Sequence, residues 1–102
     1  MSPAVRTTPE VNAQIRAIDD WWRKNRPNAP DLFLTELAEA FDFIANSPQL
    51  GRPYRPSPVP GARRLFLSAS RYHIYYLPAA EEVTVLAVWH AQRGVGPPLR
   101  SP

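Results

Sequence analysis

The sequence predicts an α+β domain in which a helical hairpin packs on a small antiparallel sheet. Three observations predict it. Two amphipathic stretches fill residues 8–46, three short β-rich runs fill 62–90, and a proline-rich connection separates the two groups. A chain of 102 residues holds one domain. That domain is expected to span 1–102, with a loose Gly/Pro-rich tail over 94–102.

Residues 4–7 are a short candidate strand. A helix start follows: Thr8 as N-cap, Pro9 at the first helical position, and Glu10 near the positive helix end. Val11, Ile15, Ile18 and Trp22 then form one apolar stripe, with Arg16, Asp20 and Arg23 opposite. Asp19–Arg23 and Asp20–Lys24 are acid-before-base pairs at i,i+4. Pro27 ends this helix. A second one begins with Asn28 as a possible cap, Pro30 in the first turn and Asp31 where a capping acid would sit. Its stripe is Phe33, Leu34, Leu37, Ala40, Phe41 and Ile44, and Asn46-Ser47-Pro48 stops it. Trp21, Leu32 and Phe43 fall on the shoulders of the two stripes, free to pack on the sheet or to face a partner.

Five prolines stiffen residues 47–60. Three strands are expected after them, over 62–68, 72–77 and 83–90, with turns at Ala69-Ser70-Arg71 and at 78–82. In the last strand, alternation puts Val83, Val85, Ala87 and Trp89 on one face and Thr84, Leu86, Val88 and His90 on the other. A strand apolar on both faces belongs in the middle of a sheet with each side covered. Helices cover one side, and the other is left for a partner. The order is β-α-α-β-β-β.

Composition excludes several chemistries. There is no cysteine, hence no disulfide, no thiolate nucleophile and no cysteine-based zinc site. No metal and no cofactor are expected. No apolar run is long enough to span a bilayer, no signal peptide is visible at the N-terminus, and a cytoplasmic location is expected. The net charge of +3 is unevenly placed. Residues 1–51 carry five basic and seven acidic side chains, whereas residues 52–102 carry seven basic and two acidic ones. A basic second half suits a polyanion or an acidic protein partner.

Five local signatures, in order, bear on function. They are Thr8-Pro9-Glu10, Ser47-Pro48-Gln49-Leu50-Gly51-Arg52, Pro60-Gly61-Ala62-Arg63-Arg64-Leu65, Tyr72-His73-Ile74-Tyr75-Tyr76, and Val88-Trp89-His90-Ala91-Gln92-Arg93-Gly94. Together with the element order they resemble the RelE/ParE toxin superfamily over nearly the whole chain. The resemblance implies the toxin half of a bacterial type II toxin–antitoxin pair, silenced by a ParD-like or RelB-like antitoxin. Two target classes follow from it. RelE-like members cleave mRNA in the ribosome, and ParE-like members share the fold without that catalytic set and poison DNA gyrase.

The residues weigh on that choice. Metal-free RNA cleavage needs a base, charge stabilisation at phosphorus and an acid for the leaving oxygen. Arg52, Arg55, Arg63, Arg64, Arg71 and Arg93 are suited to a target or polyanion, but a guanidinium cannot act as a base. Lys24 falls on the wrong element. His73, His90 and the strand tyrosines Tyr72, Tyr75 and Tyr76 remain, so binding chemistry is plentiful and proton chemistry is thin. The ParE-like reading is therefore favoured. A ribosome-dependent endoribonuclease would have His90, Arg63, Arg64 and Tyr76 as its candidate catalytic set. A toxin fold that has lost its target activity is a further alternative. Trp21, Leu32, Phe43 and Phe66 are the candidate antitoxin contacts.

Overall fold

Thr8 opens the first helix through its side chain, whose Oγ1 accepts a hydrogen bond from the Val11 N–H at 3.2 Å. In the computed structural model, which describes residues 3–101, this helix is α1 (Pro9–Asn25), and it follows strand β1 (Ala4–Arg6). Met1, Ser2 and Pro102 lie outside the described residues. Helix α2 (Leu32–Asn46) comes next, then strands β2 (Arg52–Pro53), β3 (Arg63–Leu67), β4 (Tyr72–Pro78) and β5 (Glu82–His90). The sheet order is β1-β5-β4-β3-β2. β5 is therefore an interior strand, as its two apolar faces require. All pairings are antiparallel except β1 with β5, which run parallel because the helical hairpin carries the chain across. No described helix is long and apolar enough to cross a membrane.

The main core lies between hairpin and sheet. Val11 and Trp22 of α1, Phe33, Leu37, Ala40 and Ile44 of α2, and Ile74, Tyr76, Val83, Val85 and Val88 of the sheet are buried in it. Each large side chain so enclosed contributes about 1.5–3 kcal/mol of transfer free energy. The expected Asn28 cap of α2 does not form. Asp31 occupies the N-cap position without a side-chain cap bond, and its carboxylate instead accepts from Arg23 at 3.0 Å. Arg23 also holds Asp19 at 3.1 Å, so one guanidinium ties the end of α1 to the start of α2.

Two further expectations are corrected. Strict alternation in β5 breaks at a bulge: Tyr75 pairs with Ala87 and Tyr76 with Val85, leaving Leu86 as the extra residue. Val83, Val85 and Val88 consequently face the helices, while Leu86, Ala87 and Trp89 face the opposite side. That side is not left for a partner along its whole length. Val59 and Ala62 from the proline-rich connection and Leu99 from the tail bury against Tyr75 and Ala87. Within the described part of the tail, Leu99 is 6% exposed, and the Trp89 indole N–H donates to the Val95 carbonyl at 2.7 Å.

Candidate functional site

The sheet presents basic and aromatic side chains on both faces, gathered toward the end where β4 begins and β5 finishes. On the helix side this end is a cleft of about 580 Å³ between the last turns of α1 and the end of β5. Trp22, the last member of the α1 stripe, forms part of its wall, and the exposed Trp21 ring meets it edge-on at 5.8 Å. The Arg26 guanidinium lies 5.8 Å from the Trp21 ring centre.

The opposite wall is the β3–β4 turn, which α2 holds in place. The Glu36 carboxylate accepts from the Ala69 N–H at 2.8 Å, the Ser70 N–H at 2.9 Å and the Ser70 hydroxyl at 2.6 Å. Arg71 follows in the left-handed region at φ 70°, unusual for a residue with a side chain. Its carbonyl accepts from the Ala91 N–H at 2.9 Å, which fastens the turn to the end of β5. His90 closes the cleft. Its Nδ1 accepts from the Gln92 N–H at 3.1 Å, and its ring meets Tyr72 edge-on at 4.9 Å. Burial raises the Tyr72 pKa, and the nearby Trp22 indole and the Arg93 charge offset part of that rise.

The face away from the helices carries a ladder of rings and guanidinium groups. The Arg71 side chain sits 5.5 Å over Phe66, and Phe66 lies 5.2 Å from His73. His73 lies 6.0 Å from Tyr75, and Tyr75 lies 4.9 Å from Tyr54. Arg64 spans the far end, 5.2 Å from the Tyr54 ring and 6.0 Å from Tyr75. Arg93 stacks on Trp89 at 3.8 Å. Burial and then the Arg64 charge hold the His73 pKa below the ordinary histidine value. Burial pushes the Tyr75 pKa up, against a smaller opposing pull from Arg64.

These positions redistribute the residues singled out from the sequence. His90, Arg63, Arg64 and Tyr76 do not converge. Tyr76 is fully buried, its hydroxyl accepting from the Gly51 N–H at 2.7 Å and donating to the Pro48 carbonyl at 2.9 Å. Arg63 donates from Nε to the Gly51 carbonyl at 2.7 Å and from its terminal nitrogen to the Gln49 carbonyl at 3.1 Å. Both residues therefore fasten the segment before β2. Arg64 pairs with Tyr75 and faces away from the helices, whereas His90 pairs with Tyr72 on the helix side. Arg52 and Arg55 are exposed beside the proline-rich connection, and Arg71 and Arg93 line the cleft. Of the proposed antitoxin contacts, Trp21 lines the cleft and Phe66 belongs to the ladder. Phe43 is 62% exposed on α2, and Leu32 instead packs against the main core. Sequence reasoning missed Glu36, Gln14 and Tyr54. A glutamate or glutamine on a helix flank and a tyrosine among prolines carry no pattern that marks such roles.

Comparison with known proteins agrees with this architecture. Residues 5–94 match the family model described as the ParE toxin of the type II toxin–antitoxin system, parDE. A solved chain of the chromosomal ParDE toxin–antitoxin system from P. aeruginosa superposes with a TM-score of 0.71 at 20% identity, covering 89% of this chain and 98% of that one. An arginine double mutant of the E. coli toxin RelE in the free state superposes with a TM-score of 0.57 at 17% identity, covering 90% of this chain and 86% of that one. A search of curated proteins gives no match. The likeness to solved structures establishes the fold, and the match along residues 5–94 establishes that the chain belongs to the ParE toxin family of type II toxin–antitoxin systems.

Proposed function

We propose that this chain is a toxin kept silent by a ParD-like antitoxin and that, when free, it acts on DNA gyrase. The observation that carries the choice of target is the dispersal of the candidate acid–base set. Tyr76 and Arg63 are committed to backbone partners, and Arg64 and His90 occupy opposite faces of the sheet. Tyr76 also stands four residues along β4 from Tyr72, the partner of His90, a separation of about 13 Å. A phosphoryl-transfer site needs its base, acid and cations within hydrogen-bond reach of one reacting group. The exposed chemistry is instead suited to binding: guanidinium groups stacked on rings, on a rigid sheet.

A second reading, ribosome-dependent mRNA cleavage, has one observation in its favour. His73 is held toward its neutral form beside Arg64 on the open face, the state a general base requires. Induced expression in bacteria, with and without the adjacent gene, followed by a gyrase supercoiling assay on purified protein, separates the readings. Growth arrest that the adjacent gene relieves, with supercoiling lost, is the expected result. Arrest with normal supercoiling and cut ribosome-bound mRNA overturns the gyrase assignment. Absence of arrest marks a toxin fold without target activity.

A further inference from the structure

Phe66, His73 and Trp89 form one row across three strands on the face away from the helices. Phe66 pairs with His73, and His73 pairs with Trp89. The Phe66 and His73 ring centres are 5.2 Å apart. With strands about 4.8 Å apart, the row spans roughly 10 Å. A guanidinium closes each end: Arg71 lies 5.5 Å over Phe66, and Arg93 lies 3.8 Å over Trp89. Arg64 stands on the same face of β3, over Tyr75.

The neighbouring row, Arg64–Tyr75–Ala87, is covered in part, because Tyr75 and Ala87 are buried with Val59 and Leu99. The Phe66 end is open. Phe66 is 41% exposed, and Arg64, Arg71 and Arg93 are exposed. Among the described residues, none of these three guanidinium groups is in an ion pair. Residues 52–102 hold two acids, Glu81 and Glu82, at the far end of β5, about 23 Å or more along the strand from Trp89. Glu36 on α2 is committed to Ala69 and Ser70.

An occupant of this surface has to bring negative charge and flat faces together. A peptide backbone gains little, since β3, β4 and β5 already pair with one another through the row. The outer edge of β5 is covered by α1, where the Gln14 side-chain oxygen accepts from the Val88 N–H at 2.9 Å. A nucleic-acid duplex brings phosphates but keeps its base faces stacked inside. A single strand supplies phosphates to the arginines and free base faces to the rings. A guanidinium plane also takes a stacked base, so Arg93 on Trp89 extends the row. Its span exceeds the rise of about 3.4 Å per stacked nucleotide, so it meets two or three bases rather than a lone nucleotide. Phe66 has no polar atom and the Trp89 indole N–H is committed to Val95, so the row suits base faces better than sugar hydroxyls.

We infer that this row binds single-stranded DNA, with bases resting on Phe66, His73 and the Arg93–Trp89 stack and phosphates on Arg64 and Arg71. The toxin then contacts the DNA that gyrase handles as well as the enzyme. The choice of DNA over RNA rests on the gyrase reading; the stacking does not.

The test uses the whole purified toxin and a fluorescent oligothymidine of about twelve nucleotides, within the range of single-strand site sizes. Polarisation is expected to rise on titration at low salt, and the same strand annealed to its complement should bind about tenfold less well. Phe66→Ala should weaken binding about fivefold or more, the loss of one stacked base. Phe66→Trp keeps a ring and should bind at least as tightly as the parent, which keeps the test open if alanine disturbs the fold. Arg64→Glu should weaken binding and flatten its salt dependence. Arg16→Glu, the same charge change on the exposed side of α1, should bind as the parent does. Equal losses in Arg64→Glu and Arg16→Glu with none in Phe66→Ala, or a duplex that binds as well as the single strand, overturn the inference in favour of diffuse charge attraction. No binding by the parent toxin also overturns it and leaves the gyrase reading to the supercoiling assay. Oligouridine bound about tenfold more tightly overturns the choice of DNA. Binding as expected by a toxin without effect on supercoiling retains the stacking row and overturns the gyrase reading instead.

Discussion

The Tyr76 hydroxyl bridges the Gly51 N–H, 2.7 Å away, and the Pro48 carbonyl, 2.9 Å away, so a core tyrosine holds the segment between α2 and β2. A Cβ at Gly51 would stand 2.6 Å from that hydroxyl oxygen and 2.9 Å from the Arg64 carbonyl, which explains a glycine there. Tyr76→Phe leaves the buried Gly51 N–H without a partner and is expected to cost ~1–3 kcal/mol in a urea unfolding curve. Activity per folded molecule should be unchanged. A variant of full stability but no toxicity would return Tyr76 to the candidate catalytic set.

Glu36 makes a comparable bridge from α2 to the β3–β4 turn, with two N–H groups and a hydroxyl on one carboxylate. Glu36→Gln retains one accepting oxygen and turns an NH2 group toward remaining donors. The expected loss is ~1.5–3 kcal/mol, the range for hydrogen bonds to a charged group. Hydrogen exchange should localise part of it to Ala69 and Ser70. Uniform change throughout the protein with those two amides unaffected would argue against the bridge.

Arg71 holds a left-handed backbone that costs a residue with a side chain roughly 1–2 kcal/mol. Arg71→Gly relieves that strain while removing a cleft cation and the Phe66 stack. Thermal unfolding is expected at an equal or higher temperature, with toxicity at equal protein level reduced. Stability and toxicity moving down together would show that the side chain serves chiefly to hold the turn.

How far the sequence was legible follows from which interactions are local. The Thr8-Pro9-Glu10 start, the two helical stripes and the three late strands are encoded within a few residues, and each formed close to its expected ends except the start of α2, which comes three residues later than an Asn28 cap implies. α2 begins beyond the Asn28 cap, with Asp31 at the N-cap position and its carboxylate engaged by Arg23, eight residues earlier in the chain. The bulge at Leu86 was invisible because every residue from Val83 to Trp89 except Thr84 is apolar, so no polar residue marks the change of phase. β2 and the buried Leu99 depend on partners remote in sequence, Arg63–Arg64 and Val59–Tyr75. The cleft joins the end of α1, the β3–β4 turn and the end of β5, and Trp21, Arg71, Tyr72, Arg93 and His90 among its residues had been singled out as site candidates.

His73 gives a pH dependence of determined sign. Burial and the Arg64 charge place its folded-state pKa below the ordinary value of about 6.5. Above that pH the imidazole is neutral in both states and contributes no pH slope. As pH falls below it, the unfolded chain takes up the proton first, so stability declines until pH passes the folded-state pKa. Urea midpoints are expected to fall on acidification below about pH 6.5, and to fall less steeply in His73→Gln. Superimposable acid limbs in the two proteins would remove His73 from the account.

Arg63 and Arg64 are adjacent in sequence, and their substitution should have opposite consequences. Arg63 holds the Gly51 and Gln49 carbonyls, so Arg63→Ala loses charged hydrogen bonds of ~1.5–3 kcal/mol each at most and should mainly destabilise. Arg64 is exposed and contacts the rings of Tyr54 and Tyr75, a stack worth about 0.5–1 kcal/mol on an open surface. Arg64→Ala should leave unfolding nearly unchanged. If the open face engages the cellular target, the same substitution should weaken toxicity at equal protein level. Measuring the unfolding midpoint and growth inhibition for both variants separates the roles. Full toxicity in Arg64→Ala would take the target contact off the ladder end, and unaltered stability in Arg63→Ala would deny that its guanidinium holds the loop.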